Sequence, residues 1–219
     1  MGAGTDVTDM GGAFSKLFGD NQTFISTIEM NLSSNQDMVM LGKMTFDHGK
    51  TRVDTDMTQM KVFPPQTIEK MRNMGMDKTT VISLPEKKIT YMIYPGLQAY
   101  AQASNGNPNI TNDYKVSSTT DLGNETVDGH ACVKAKIVIT DQDGNLFKAT
   151  VWKASDLKDF PIKIEQVGTK GFTTMLFKDV TFATPIASDF EPPKDFTKCD
   201  DKQTMREVIM KRMGTGAPK

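Results

Sequence analysis

From Phe24 to Met57 the chain alternates between apolar and polar side chains, and this period of two limits what it can fold into. Phe24, Ser26, Ile28, Met30 and Leu32 fall on one side, with Thr27, Glu29 and Asn31 on the other and Ile25 as the exception. Ser33-Ser34-Asn35-Gln36 supplies a turn. Met38, Met40, Met44 and Phe46 then alternate with Val39, Leu41, Lys43 and Thr45, and Gly42 marks a bulge or bend. After Asp47-His48-Gly49-Lys50, Val53, Thr55 and Met57 alternate with Arg52, Asp54 and Asp56. Successive side chains of a pleated strand point to opposite faces. Three such strands joined by short polar turns predict an antiparallel meander with one half-buried face.

The pattern resumes along the rest of the chain. Phe63-Pro64-Pro65 breaks the sheet, and Gln66–Met76 has the spacing of a short helix with Pro65 at its start. Thr79–Leu84 and Lys88–Tyr94 read as strands, and Ala101–Asp113 as a loop. Tyr114–Asp121 is the next strand. A long strand follows, with Ala131, Val133, Ala135, Ile137 and Ile139 on one face. Asp141-Gln142-Asp143-Gly144 is a hairpin turn leading back through Leu146–Lys153. Ile162–Val167 and Thr173–Phe182 bring the expected total to nine or ten strands. Asp200–Met213 has a helical stripe of Met205, Val208, Ile209 and Met213. The glycine-rich segment 1–21 reads as a flexible leader, 22–213 as a single β domain, and 214–219 as a disordered tail.

Composition narrows the class. Basic and acidic residues number 26 and 27, for a net charge of −1, and their signs are interspersed. That leaves no basic stripe for nucleic acid. No run approaches the roughly 18 apolar residues of a membrane-spanning helix. Cys132 and Cys199 are too far apart in sequence for a zinc knuckle. They are either two independent thiols or one long-range disulfide in an oxidising compartment.

Catalytic signals are sparse. Of the two histidines, His48 and His130, each adjoins a glycine in a turn, and neither has a convergent partner in the sequence. Asp141-Gln142-Asp143-Gly144-Asn145 begins like a calcium loop, but Trp152 stands where the closing glutamate belongs. Asp54 and Asp56 read as a solvated strand face. No enzyme activity, cofactor or metal site is expected. Methionine is the unusual component: of 16, 12 lie at or before Met92. It can fill an irregular core, line an adaptable apolar cavity, or bind soft metal through its thioethers. The pairs lie on different elements with only His48 near, which disfavours the metal.

Several motifs together carry a resemblance. They are Gly42-Lys43-Met44, Tyr91-Met92-Ile93-Tyr94-Pro95-Gly96, Leu122-Gly123-Asn124-Glu125-Thr126-Val127-Asp128-Gly129-His130-Ala131-Cys132, Thr150-Val151-Trp152-Lys153-Ala154-Ser155-Asp156-Leu157 and Phe190-Glu191-Pro192-Pro193. The chain resembles an uncharacterised family of bacterial secreted proteins. Its Phe190-Glu191-Pro192-Pro193 after a β-rich region is also similar to the lipoprotein-carrier superfamily that includes LolA and LolB. The resemblance spans roughly Phe24 to Asp201. It implies a mainly β (α+β) fold, in which a strongly curved antiparallel sheet forms an unclosed barrel with helices covering the concave side.

The function expected is a binding or carrier protein of the periplasm or bacterial cell envelope, with a signal peptide removed ahead of residue 1. Its apolar cavity for a lipid or other hydrophobic ligand would be lined by Phe24, Ile28, Met30, Met38, Met40, Met44, Phe46, Val53 and Met57. The helices at Gln66–Met76 and Asp200–Met213 would cover it. The alternative is a structural or sensory envelope module that binds another protein through a sheet edge or exposed patch.

Overall fold

The alternating segment forms three consecutive antiparallel strands, β1 (Thr23–Ser33), β2 (Asp37–Asp47) and β3 (Lys50–Asp56). The computed structural model describes residues 12–33, 37–60, 63–104, 114–168 and 171–214. Residues 34–36 of the first expected turn, 105–113 of the expected loop and 215–219 of the expected tail lie outside the described residues. The β2–β3 turn has His48 at φ 48° and Gly49 at φ 87°, the two positive values that a two-residue hairpin matching strand twist requires.

Nine further strands complete the sheet. They are β4 (Lys78–Leu84), β5 (Ile89–Tyr94), β6 (Ala99–Ser104), β7 (Lys115–Val127), β8 (His130–Thr140), β9 (Leu146–Ala154), β10 (Phe160–Gly168), β11 (Gly171–Thr181) and β12 (Thr197–Cys199). All twelve form one sheet in the order β12-β6-β5-β4-β3-β2-β1-β11-β10-β9-β8-β7. Every pairing is antiparallel except the parallel contact of β12 with β6. The sequence underestimated the strand count at two places. Ala99–Ser104 alternates alanine with Tyr100 and Gln102, too little contrast to separate from a loop. Thr197–Cys199 is too short to show a period.

The sheet is open yet strongly curled, and covalent reach shows why. β6 and β7 stand at opposite ends, ten strand positions apart. In a flat sheet they would be about 48 Å apart at about 4.8 Å per strand. The chain from Ser104 to Lys115 spans at most about 40 Å, taking about 3.6 Å per residue over about eleven steps. The sheet must bend to let this connection close. The result is a mainly β, unclosed barrel with helices on its concave side.

Segment 12–18 fills the centre of that concavity. The sequence places residues 1–21 in a flexible leader. Gly12–Phe18 instead forms α1 (Gly12–Ser15) and a 3-10 turn at Lys16–Phe18, with Phe14, Leu17 and Phe18 buried. The Phe18 ring centroid lies 4.8 Å from Phe24 on β1, 4.9 Å from Phe46 on β2, and 5.6 Å from both Phe160 on β10 and Phe177 on β11. One ring can touch four strands only if the strands wrap around it. Glycine and small polar residues dominate residues 1–21 as a whole, and they mask the three large apolar side chains Phe14, Leu17 and Phe18.

A second core lies on the convex face. Register puts Arg52, Ile82 and Tyr91 on one face, opposite Val53, Val81 and Met92. Ile82, Leu84 and Ile93 are covered there by Phe190, with Phe196, Tyr91 and Tyr100 packed against them. Residues 182–196 thus carry the chain from β11 across the outside of the sheet to β12. Arg52 anchors this crossing by donating from Nη1 to the Asp189 carbonyl at 3.1 Å. Its Nε and Nη2 each reach Asp54 at 2.9 Å. Asp54 therefore acts as a clamp residue, with its side chain still 35% exposed. Asp56 caps the 3-10 turn at Met57–Gln59 through Thr58.

The packing predicts a measurable role for the N-terminal segment. Phe18→Ala should cost about 3–5 kcal/mol, the usual range for emptying a fully buried aromatic site. Urea unfolding followed by circular dichroism checks this. A flexible leader would instead leave the midpoint unchanged.

Candidate functional site

The expected cavity residues share a face, as their alternation requires. Phe24 pairs with Phe46, Ser26 with Met44, and Met30 with Met40. Phe24 and Met44 are 0% exposed, Phe46 1%, Ile28 3% and Met30 8%. Met40 and Val53 pack at the border of the same cluster. Met38 lies in β2 opposite Leu32. Met57 begins the 3-10 turn after β3. Phe24, Ile28, Met30, Met44 and Phe46 share one cluster with Phe14, Leu17 and Phe18, so this part of the concave face is occupied by the protein's own residues.

The two helices expected to cover these residues lie elsewhere. α2 (Pro65–Asn73) stands beside the turn that follows β3. Thr58, Met60, Phe63, Ile68, Glu69 and Arg72 help line a space of about 480 Å³ between them. α3 (Lys202–Gly214) sets Met205, Val208 and Ile209 against Leu97, Ala99 and Cys199, whereas Met213 is 61% exposed and leaves the expected stripe. Arg212 holds α3 down by donating from Nη1 to the Gly96 carbonyl at 2.5 Å. Gly75 and Gly96 meet so closely here that a methyl group on either would lie within 3 Å of the other's backbone. Cys199 belongs to this cluster and Cys132 to the aromatic core; both are buried free thiols.

Between the aromatic core and the α3 cluster the concave face stays open. Pairing carries one row across from Met44 to Val53, Val81, Met92 and Ala101. A neighbouring row runs from Phe46 through Thr51, Ser83 and Thr90 to Ala103. Exposure rises along the first row from 0% at Met44 to 43% at Met92. Val53, Val81 and Ala101 are half-buried, and Ala103 is exposed. Apart from Met92, these positions carry small or β-branched side chains, and Thr51 and Thr55 of β3 are buried at the edge of the row. Val53, Val81, Met92 and Ala101 thus form a partly exposed apolar strip, the trough over β3–β6. The Tyr94 hydroxyl lies at its α3 side and donates to Met92 Sδ at 2.8 Å; burial pushes its pKa up, which keeps the phenol protonated.

A second region lies at the far end of the sheet. Trp152 is 2% exposed and donates from Nε1 to Glu125 Oε2 at 2.8 Å. Lys134 and Lys163 lie over its ring, with Nζ 4.7 and 4.1 Å from the centroid. The Trp152 hydrogen bond, reinforced by Lys134, holds the Glu125 carboxyl below its usual pKa. His130 Nδ1 lies 2.7 Å from Asp156 Oδ2. His48 pairs with Asp47 and is 68% exposed at its side chain. Asp47 also accepts from Lys50 Nζ at 2.6 Å.

A family model described as a domain of unknown function, DUF4412, matches residues 24–160. The chain belongs to that family. No curated protein matches it. Among solved structures, the crystal structure of MucB aligns at 10% identity with a TM-score of 0.43, over 84% of this chain and 62% of that one. The chain thus spans less than two thirds of MucB's length. LprF from Mycobacterium bovis aligns at 12% identity and a TM-score of 0.43, covering 89% of this chain and 100% of LprF. A LolA superfamily protein from Nitrosomonas europaea aligns at 9% identity and 0.42, covering 82% and 94%. At these values the likeness is one of chain trace alone.

Two tests follow from this geometry. Ala101→Leu in the open trough should change stability by less than about 1 kcal/mol, whereas Ala99→Leu, at a position that is 0% exposed, should cost about 1–3 kcal/mol. Chemical denaturation of both variants measures the contrast; equal losses would mean the trough is as full as its flank. The second test uses pH. Because the folded pKa of Glu125 is depressed, its interaction with Trp152 is complete above about pH 4.5 and is lost as pH falls through the lowered value. Fluorescence of Trp152, the only tryptophan, should change below pH 4.5, and Glu125→Gln should remove that step.

Proposed function

We propose that the protein is a binding or carrier module of the bacterial cell envelope that takes a hydrophobic ligand on the concave face over β3–β6. The observation that carries this reading is the open row Val53-Val81-Met92-Ala101, between two covered clusters on the same face. An unoccupied apolar surface inside a curved sheet gains stability when an acyl chain covers it, at about 0.8 kcal/mol per buried methylene. The small and β-branched side chains of this row leave room for a chain, and the flexible thioether of Met92 can adjust to its shape. Thr51, Ser83 and Thr90 set hydroxyl-bearing residues beside the apolar row.

The ligand site in this reading shifts from the nine residues expected from sequence. Of these, Val53 remains in the floor, and Phe24, Met44 and Phe46 form the wall behind it. The envelope location belongs to the same reading and rests on the sequence resemblance. No covalent chemistry is required, since the work of a carrier is desolvation and release.

Native mass spectrometry after incubation with palmitate tests the proposal. One palmitate per chain is expected, together with a loss of at least tenfold in affinity for Val81→Trp, which would fill the trough. Absence of an adduct, or an adduct indifferent to Val81→Trp, would contradict it.

A further inference from the structure

The end of the sheet at β7 offers a different kind of surface. β7 is the terminal strand, and its residues Lys115–Thr126 are all exposed. Among the described residues no strand pairs with its outer edge. A terminal strand presents unpaired backbone donors and acceptors that can template another strand. Two irregularities interrupt it, between Val116 and Ser118 and between Asp121 and Asn124. At the second, Gly123 has φ 95° and donates its N–H to Asp121 Oδ1 at 2.7 Å. Beyond it, Asn124–Val127 pairs regularly with Val133–His130 up to the hairpin turn at Asp128-Gly129. This regular stretch is the part of the edge that a partner strand can extend.

A pocket of about 390 Å³ adjoins that stretch. It is lined by Asn124, Glu125 and Thr126 of β7, Ala131 and Cys132 of β8, and Ser155 of the β9–β10 turn. Its surroundings are acidic. Glu125 is ionised in the folded protein, the Asp156 side chain is 59% exposed beside Ser155, and Asp128 is exposed in the turn. The nearby cationic groups already have partners: Lys134 is held by Glu125 and the Trp152 ring, Lys163 by Glu165 and the same ring, and His130 lies 2.7 Å from Asp156. The Cys132 thiol, which lies in the pocket wall, has its pKa pushed up by burial and then by Asp156 and Glu125. Strand addition draws affinity from backbone hydrogen bonds and selectivity from pockets that receive alternate side chains. A negative pocket beside an open edge selects a cationic side chain.

We propose that the outer edge of β7 at Asn124–Val127 takes up an extended basic peptide strand of another protein, with one lysine or arginine side chain entering the pocket beside Glu125. This site lies at the far end of the sheet from the β3–β6 trough and stands independently of the ligand bound there.

The test uses a fluorescein-labelled nine-residue peptide of alternating lysine and valine, with the full chain, followed by anisotropy and amide hydrogen exchange. Saturable binding, weakened by salt, should protect amides within residues 124–127. A glutamate–valine peptide should bind at least tenfold more weakly. N-methylation of alternate peptide amides should abolish binding in one of its two registers. Glu125→Gln, which keeps an oxygen acceptor for Trp152, should weaken binding several-fold while leaving the far-ultraviolet spectrum unchanged. Four results would overturn the proposal: no binding, equal binding of the acidic peptide, protection confined to β3–β6, or protection of β7 by self-association before peptide is added.

Discussion

The rest of the molecule depends on the short connection between opposite ends of its sheet. Twelve strands in one layer would ordinarily lie broad and open, yet the segment leaving β6 must reach the start of β7. That requirement bends the sheet, and a bent sheet creates a concavity that must be filled with side chains, water or ligand. The N-terminal segment fills one half. A helix of four residues followed by a single 3-10 turn has little stability of its own, because nucleation is costly and few hydrogen bonds repay it. Burial of Phe14, Leu17 and Phe18 therefore holds it in place, and the same burial joins β2 to β10 through one aromatic cluster.

The other half of the sheet is stabilised from the opposite side. Phe190 and Phe196 cover Ile82, Leu84 and Ile93 on the convex face, while the α3 cluster caps the concave face near β12. Strands β3–β6 thus gain much of their burial from outside. Their concave surface can stay partly uncovered at little cost to the fold. This division of labour leaves the apolar strip over β3–β6 partly exposed on its concave side. The Arg52–Asp54 clamp, with Thr80 donating to Asp54 at 2.5 Å, fixes the convex crossing in place.

Strand identity was legible in the sequence wherever alternation was strong. Phe24–Met30 and Ala135–Ile139 declared both their conformation and their buried faces, whereas Ala131 and Val133, expected on the same face as Ala135, are exposed. The sequence also put Val53 and Met44 on one face, and the structure pairs them. It could not show what covers a face, because covering depends on long-range topology. Phe18 looked like part of a flexible segment since glycines surround it, and only the curvature of the sheet gives its ring four strands to touch. Met92 and Ala101 became visible as a floor only through register, which no local pattern encodes. The clamp role of Asp54 was not legible because Thr80 and the Asp189 carbonyl reach the Arg52–Asp54 pair from segments distant in sequence.

The central claim is that the concave face is divided into a filled half and an open half that receives a ligand. Methyl nuclear magnetic resonance of protein labelled at methionine and valine methyls tests it most directly. On addition of palmitate, the account predicts shifts at Met92, Val81 and Val53, with Met30 and Met175 unchanged. Shifts at Met30 and Met175, or at the exposed Met210 and Met213 alone, would contradict it.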